Sequence, residues 1–123
     1  MLDLKGLILF SDNPKRLVDF YKKVFESEPG WSGGDFVGFM VGTGYLTIGP
    51  HDRVHGNNQN PERIIFNLET EDVEKEFSRI KDLGAKVVAE PYHPDEALRA
   101  TLTTFADPDG NFFQVQTPME MMM

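Results

Sequence analysis

The sequence predicts an α+β fold in which two βαβββ modules form a curved mixed sheet around a cleft. Three observations carry this expectation. A strand, an amphipathic helix and three further strands follow one another, and the same order then begins again. Leu17, Tyr21 and Val24 on the first helix have counterparts 56 residues later in Val73, Phe77 and Ile80 on the second. Asp107-Pro108-Asp109-Gly110 marks a tight hairpin near the end of the chain. A single half leaves one sheet face bare and is not stable alone, so pairing two halves creates the cleft, the natural place for a site.

The first module spans residues 4–50. Leu4 to Phe10 is an apolar run closed by Ser11-Asp12-Asn13, the pattern of a buried strand. Asn13 followed by Pro14 reads as a helix N-cap with proline at the first helical position. Leu17, Phe20, Tyr21 and Val24 then form an apolar stripe, with Lys15, Arg16, Asp19, Lys22 and Lys23 outside it, and Pro29-Gly30 stops the helix. Three short strands follow, around Trp31, over 35–41 and over 45–49, separated by Gly33-Gly34 and Gly42-Thr43-Gly44. Residues 51–61 are polar and aperiodic, a linker or mobile loop.

The second module spans residues 62–118. Residues 64–68 read as its first strand, and Val73, Phe77 and Ile80 mark its helix, which Leu83-Gly84 ends with glycine in the left-handed conformation. Residues 87–89, 101–106 and 112–116 supply the remaining strands. In the last of them Phe112, Gln114 and Gln116 alternate with Phe113 and Val115, so one face packs and the other is free to meet a ligand. Residues 119–123, Met-Glu-Met-Met-Met, read as a frayed methionine-rich tail.

Composition narrows the function. The chain of 123 residues has room for one domain with a single core. Twelve Lys and Arg against 20 Asp and Glu leave a net charge of −8, which repels phosphate backbones and anionic membrane surfaces and argues against nucleic acid or membrane as a partner. The lack of cysteine excludes disulfides, thiolate metal sites and cysteine nucleophiles. No apolar run reaches the length of a membrane span, and Met-Leu-Asp-Leu-Lys lacks the basic start and apolar centre of a signal peptide, so a cytoplasmic location is expected.

The Asp-Pro-Asp-Gly-Asn turn between two strands, with a polar residue four positions after the glycine, resembles the last hairpin of the vicinal oxygen chelate superfamily. That group includes glyoxalase I, extradiol dioxygenases, fosfomycin-resistance enzymes and bleomycin-resistance proteins. Residues 19–25, Asp-Phe-Tyr-Lys-Lys-Val-Phe, and 79–85, Arg-Ile-Lys-Asp-Leu-Gly-Ala, are similar to that family's two helix endings, so the resemblance covers residues 4 to 118. It implies the glyoxalase/bleomycin-resistance fold and a homodimer.

In the metal-dependent members a divalent ion is held by His, Gln or Glu from the first and last strand of each half. Carried over residue by residue, these positions fall on Gly6; on Thr47 or its neighbours Tyr45 and Gly49; on Arg63 or Ile65; and on Gln114. Glycine offers no donor, arginine repels a cation, and one neutral amide does not hold a divalent ion against water. The resemblance therefore implies a member with no metal and no cofactor. His51 and His55 are four residues apart, but Pro50 and Gly56-Asn57-Asn58 flank them, so they read as loop histidines, as does His93. No catalytic residue can be named from spacing.

Without a metal the cleft is an aromatic pocket with a few polar groups. The expected ligand-binding residues are Phe10, Trp31, Tyr45, Thr47, Arg63, Arg99, Phe105 and Gln114. Arg63 can clamp an anion or pair with acidic neighbours. Trp31 can stack on a flat or cationic ligand, or pack in a core or dimer interface, the commoner fate. The expected function is metal-independent binding of a small molecule, as in sequestration of an antibiotic or metabolite. The alternatives are a lyase, isomerase or dioxygenase-like enzyme with an atypical site, and a regulatory module whose cleft is filled by its own side chains.

Overall fold

A computed structural model describes residues 1–122. The chain divides into two compact units at Gly56, inside the segment read as a linker. The first unit holds β1 (Gly6–Phe10), α1 (Pro14–Phe25), β2 (Trp31–Gly33), β3 (Phe36–Val41) and β4 (Gly44–Gly49). The second holds β5 (Phe66–Glu69), α2 (Val73–Asp82), β6 (Lys86–Tyr92), β7 (Leu102–Ala106), β8 (Phe112–Gln116) and α3 (Met119–Met122). Each unit builds its own four-stranded sheet, in the order β1-β4-β3-β2 and β5-β8-β7-β6. The first and last strands of a unit lie side by side and parallel, while the inner pairs are antiparallel. A parallel pair needs a long crossover, which the helix and two strands between them supply. The expected doubling of βαβββ is present.

In the first unit, α1 covers one sheet face. The Asn13 side chain accepts from the Arg16 N–H at its start, as the Asn-Pro pair predicts. Leu17, Val18, Tyr21 and Val24 are buried against Phe39, Leu46 and Ile48 of the sheet's inner face, each side chain adding roughly 1.5–3 kcal/mol. The helix stops at Phe25, earlier than Pro29-Gly30 implied. Glu26 takes the left-handed conformation at φ 51°, and its N–H donates to the Lys22 carbonyl. A side chain does here what a glycine usually does, at a cost in backbone strain.

β1 differs from the buried strand expected of an apolar run. Leu2 and Leu4 precede it in the open, and Ile8 is 52% exposed, because α1 reaches only the face that carries Leu7 and Leu9.

In the second unit, Val73 and Ile80 of α2 are buried, and Phe77 stacks on Phe105, which stacks in turn on Phe113, at 5.8 and 5.6 Å between ring centres. Asp72 caps this helix through the Lys75 N–H, and Gly84 follows it at φ 93°. The hairpin is the turn the sequence predicts: the Gly110 N–H donates to the Asp107 carbonyl at 2.9 Å. Asp107 is buried, and its carboxylate accepts from the Asp109 and Asn111 N–H groups and from the Asn111 side-chain amide. Asn58 fastens the incoming chain to this turn, donating from its backbone to the Asp109 carbonyl and from its side chain to Asn111.

The strand placed at 64–68 begins two residues later, at Phe66, and leaves Ile64 exposed. The methionine-rich segment is not frayed over its described part: residues 119–122 form one helical turn whose Met119 N–H donates to Glu69 Oε2 at 2.8 Å. Met123 lies outside the described residues. No helix among the described residues is long and apolar enough to cross a membrane.

Candidate functional site

The sheet face of the first unit that α1 leaves uncovered is built in three rows. Strand register sets Met40, Tyr45 and Gly6 in one row, Trp31, Gly38, Thr47 and Ile8 in the next, and Gly33, Phe36, Gly49 and Phe10 in the third. Each row carries an aromatic ring lying over a neighbouring glycine. A Cβ at Gly6 would collide with the Tyr45 ring, one at Gly38 with the Trp31 indole, and one at Gly49 with Phe36. Glycine weakens a strand interior and there commonly marks close approach by another group. Here the approaching group is a ring from the next strand, which holds each aromatic flat against the sheet.

Between these rings lies a hollow of about 480 Å³, lined by Gly6, Ile8, Trp31, Met40, Tyr45 and Thr47. Its size is that of an ordinary small-molecule site. Trp31 and Tyr45 are each 44% exposed, with one part seated on glycine and another open. Thr47 is only 6% exposed, and its hydroxyl has no hydrogen-bond partner among the described residues. No carboxylate, imidazole or cationic side chain lines the hollow. Phe10 shares the face one row away, where its ring meets Phe36 and His51 edge-on at 6.2 and 5.0 Å.

Three of the eight expected ligand-binding residues, Trp31, Tyr45 and Thr47, thus line one hollow. Phe105 is a correction. Phe105 pairs directly with Phe113 across the hairpin, so both rings point toward α2, and Phe105 is fully buried in the core of the second unit. Arg63 is exposed in the turn before β5, and Arg99 is exposed in the loop between β6 and β7.

Gln114 stands on the face of the second sheet turned away from α2. Its neighbours there, Asn67 on β5 and Thr104 on β7, were not anticipated. Gln114 Nε2 donates to Thr104 Oγ1 at 3.3 Å, and the amide carbonyl oxygen remains as an acceptor. Parity would have found both: Asn67 and Thr104 lie opposite Gln114 in the ladder. Met40 was missed in the same way, opposite Tyr45.

The metal expected in other members of the superfamily can be tested against these donors. The open face of the first sheet supplies one hydroxyl and one phenol. That of the second supplies the amides of Asn67, Gln114 and Gln116, the Thr104 hydroxyl and, from β5, the Glu69 carboxylate, already engaged by Met119. No three His, Cys, Asp or Glu side chains converge among the described residues. Hard divalent ions need anionic oxygen or imidazole, and neither face offers a set that fits. His51 Nδ1 accepts from the Arg53 N–H, and His93 is held to the Ala100 carbonyl, so both serve loop structure.

A resolved pKa displacement lies on the surface of α1, away from the hollow. There the hydrogen bond from Lys15, helped by the charges of Lys15, Lys22 and Lys23, holds the Asp19 carboxyl below its ordinary value.

The sequence profile of the glyoxalase-like domain family matches residues 7–116. No curated protein matches the chain. Among solved structures it is similar to a glyoxalase/bleomycin resistance protein/dioxygenase family enzyme from Burkholderia phytofirmans PsJN, at 17% identity and TM-score 0.75 over 94% of this chain and 98% of that one. It is similar to a glyoxalase-related enzyme from Fulvimarina pelagi, at 12% identity and TM-score 0.75 over 96% and 89%. It is also similar to the genomically encoded fosfomycin resistance protein FosX from Listeria monocytogenes, at 21% identity and TM-score 0.67 over 100% and 98%. At these identities the likeness is one of fold, and it agrees with the order of elements and the hairpin. The chain belongs to the glyoxalase-like domain family, within the vicinal oxygen chelate superfamily.

Proposed function

We propose that this protein binds a small organic molecule without a metal ion, on the ring-walled open face of its first sheet. One observation carries the reading: Trp31 and Tyr45, each seated over a glycine, wall a hollow of about 480 Å³ whose lining has no side chain suited to a divalent ion. Recognition there rests on shape and ring contacts. The hollow lacks a carboxylate, imidazole or amine for proton transfer near neutral pH, which supports binding over catalysis. Sequestration of an antibiotic or metabolite is the physiological form we favour. Structural neighbours with bleomycin or fosfomycin resistance in their names support it as relatives in fold. We further propose a cytoplasmic homodimer, the dimer supported by exposed apolar residues outside the hollow, Leu4, Ile64 and Val88; light scattering after size-exclusion chromatography tests the dimer.

The binding reading is tested on protein purified without chelator, by metal analysis together with native mass spectrometry. The expected result is less than a tenth of an equivalent of any divalent metal, and a retained organic molecule that Trp31→Ala releases. A stoichiometric divalent ion that disappears in Gln114→Ala overturns it.

A further inference from the structure

Resting on that binding reading, we propose that Thr47 is the polar anchor of the hollow and that its ligand is a flat, uncharged ring system carrying one hydrogen-bonding group at its edge. Thr47 occupies the centre of the middle row, between Gly38 and Ile8. It is 94% buried, being 6% exposed, and it lines the hollow, yet its hydroxyl has no protein partner among the described residues. The oxygen itself is not sealed from solvent, so a ligand that displaces water from it must supply a hydrogen bond in its place. A hydroxyl left open at the foot of an apolar hollow is therefore placed to meet a polar atom that arrives from outside.

The remainder of the lining defines that visitor. The indole and the phenol favour a planar partner through stacking and apolar contact. Ile8 and Met40, 52% and 57% exposed, extend the apolar surface around it. No cationic side chain is present to balance an anion, and the chain's net charge of −8 opposes one further. No carboxylate is present to balance a cation. A single hydroxyl both donates and accepts, so it pairs equally with a ring carbonyl or a ring N–H. These features select one polar edge on an otherwise apolar, uncharged, flat molecule.

Trp31 is the only tryptophan in the chain, so its fluorescence reports on the hollow directly. The probes are 4-quinolone, naphthalene, which has the same two-ring outline without polar atoms, and the anion 1-naphthoate. Quinolone and naphthalene are expected to quench Trp31 saturably, and naphthoate to bind at least tenfold more weakly than quinolone. Thr47→Val, nearly isosteric, is expected to weaken quinolone about fivefold, the factor that follows from losing one hydrogen bond of ordinary net strength, and to leave naphthalene unchanged. Thr47→Ser, which keeps the hydroxyl, restores quinolone binding and guards against a folding defect in the valine variant. If Thr47→Val treats both neutral probes alike, the anchor is refuted while the binding reading stands. If naphthoate binds as well as quinolone, the uncharged class is refuted. If none of the three perturbs Trp31, the hollow is not a ring site and both readings fall.

Discussion

A methyl group added at Gly38 cannot share space with the Trp31 indole, which lies against that glycine across the β2–β3 pair. β2 is a short edge strand, so the indole can swing away, and its displacement sets the cost. Trp31 is 44% exposed, so a little over half of its surface is covered. A tryptophan buries up to about 250 Å². Half of the covered part, roughly 70 Å², returned to water costs about 1.8 kcal/mol at 25 cal/mol per Å². Replacing glycine by alanine in a strand returns about 0.5–1 kcal/mol through reduced backbone freedom. Gly38→Ala should therefore destabilise the protein by about 1 kcal/mol, and the same change in a Trp31→Ala background should stabilise it by about 0.5–1 kcal/mol, a coupling of roughly 1.5–2 kcal/mol. Urea denaturation of the four proteins, followed by circular dichroism, measures the cycle. In Gly38→Ala the Trp31 emission should also move to the red, as the ring enters water. Additivity within about 0.5 kcal/mol, with unchanged emission, would refute the idea that glycine seats the ring.

Phe105→Ala removes the middle ring of the Phe77–Phe105–Phe113 stack and should cost about 3–5 kcal/mol by urea denaturation. The milder Phe105→Leu should bind quinolone like the parent protein, and weaker binding per folded molecule would return Phe105 to the site. Asp107→Ala strips three hydrogen bonds from the hairpin and should cost about 2–4 kcal/mol, with Asp107→Asn losing less because it keeps one acceptor oxygen. Asp19 is held below its ordinary pKa chiefly by the hydrogen bond from Lys15. Its carboxylate therefore favours the fold above its unfolded pKa, and that contribution is lost as pH falls through the lower, folded value. Lys15→Met should raise the Asp19 pKa in an NMR titration and leave binding at the hollow unchanged.

Much of the fold was legible because local chemistry and tertiary packing agree along most of the chain. Asn13-Pro14, Leu83-Gly84 and Asp107-Pro108-Asp109-Gly110 each stand where the backbone turns. Glu26 shows the opposite case: a left-handed residue without glycine gives no local signal, because the surrounding structure imposes it. The misplacement of Phe105 was avoidable. The turn fixes Ala106 opposite Phe112 and Phe105 opposite Phe113, and strand alternation puts Phe113 on the face away from Gln114. Residues directly opposite share a face, so Phe105 had to follow. The exposure of Ile8 was not legible, since an apolar run reads the same whether a helix covers one of its faces or both.

The glycines carry the deeper point about the site. At Gly6 the family resemblance places a metal ligand, and its absence there reads as simple loss. In the folded chain the space above Gly6 is filled by the Tyr45 ring, and a Cβ at that position would strike it. Gly38 under Trp31 and Gly49 under Phe36 repeat the arrangement in the adjoining rows. Gly38 stands inside β3, where a glycine with nothing packed on it would weaken the sheet, while Gly6 opens β1 and Gly49 closes β4; their common association with a ring from a neighbouring strand gives them a shared purpose. Gly6 therefore belongs to an aromatic platform. A histidine could not return to that position without evicting the phenol that now walls the hollow, and on this face metal coordination and ring recognition compete for the same space.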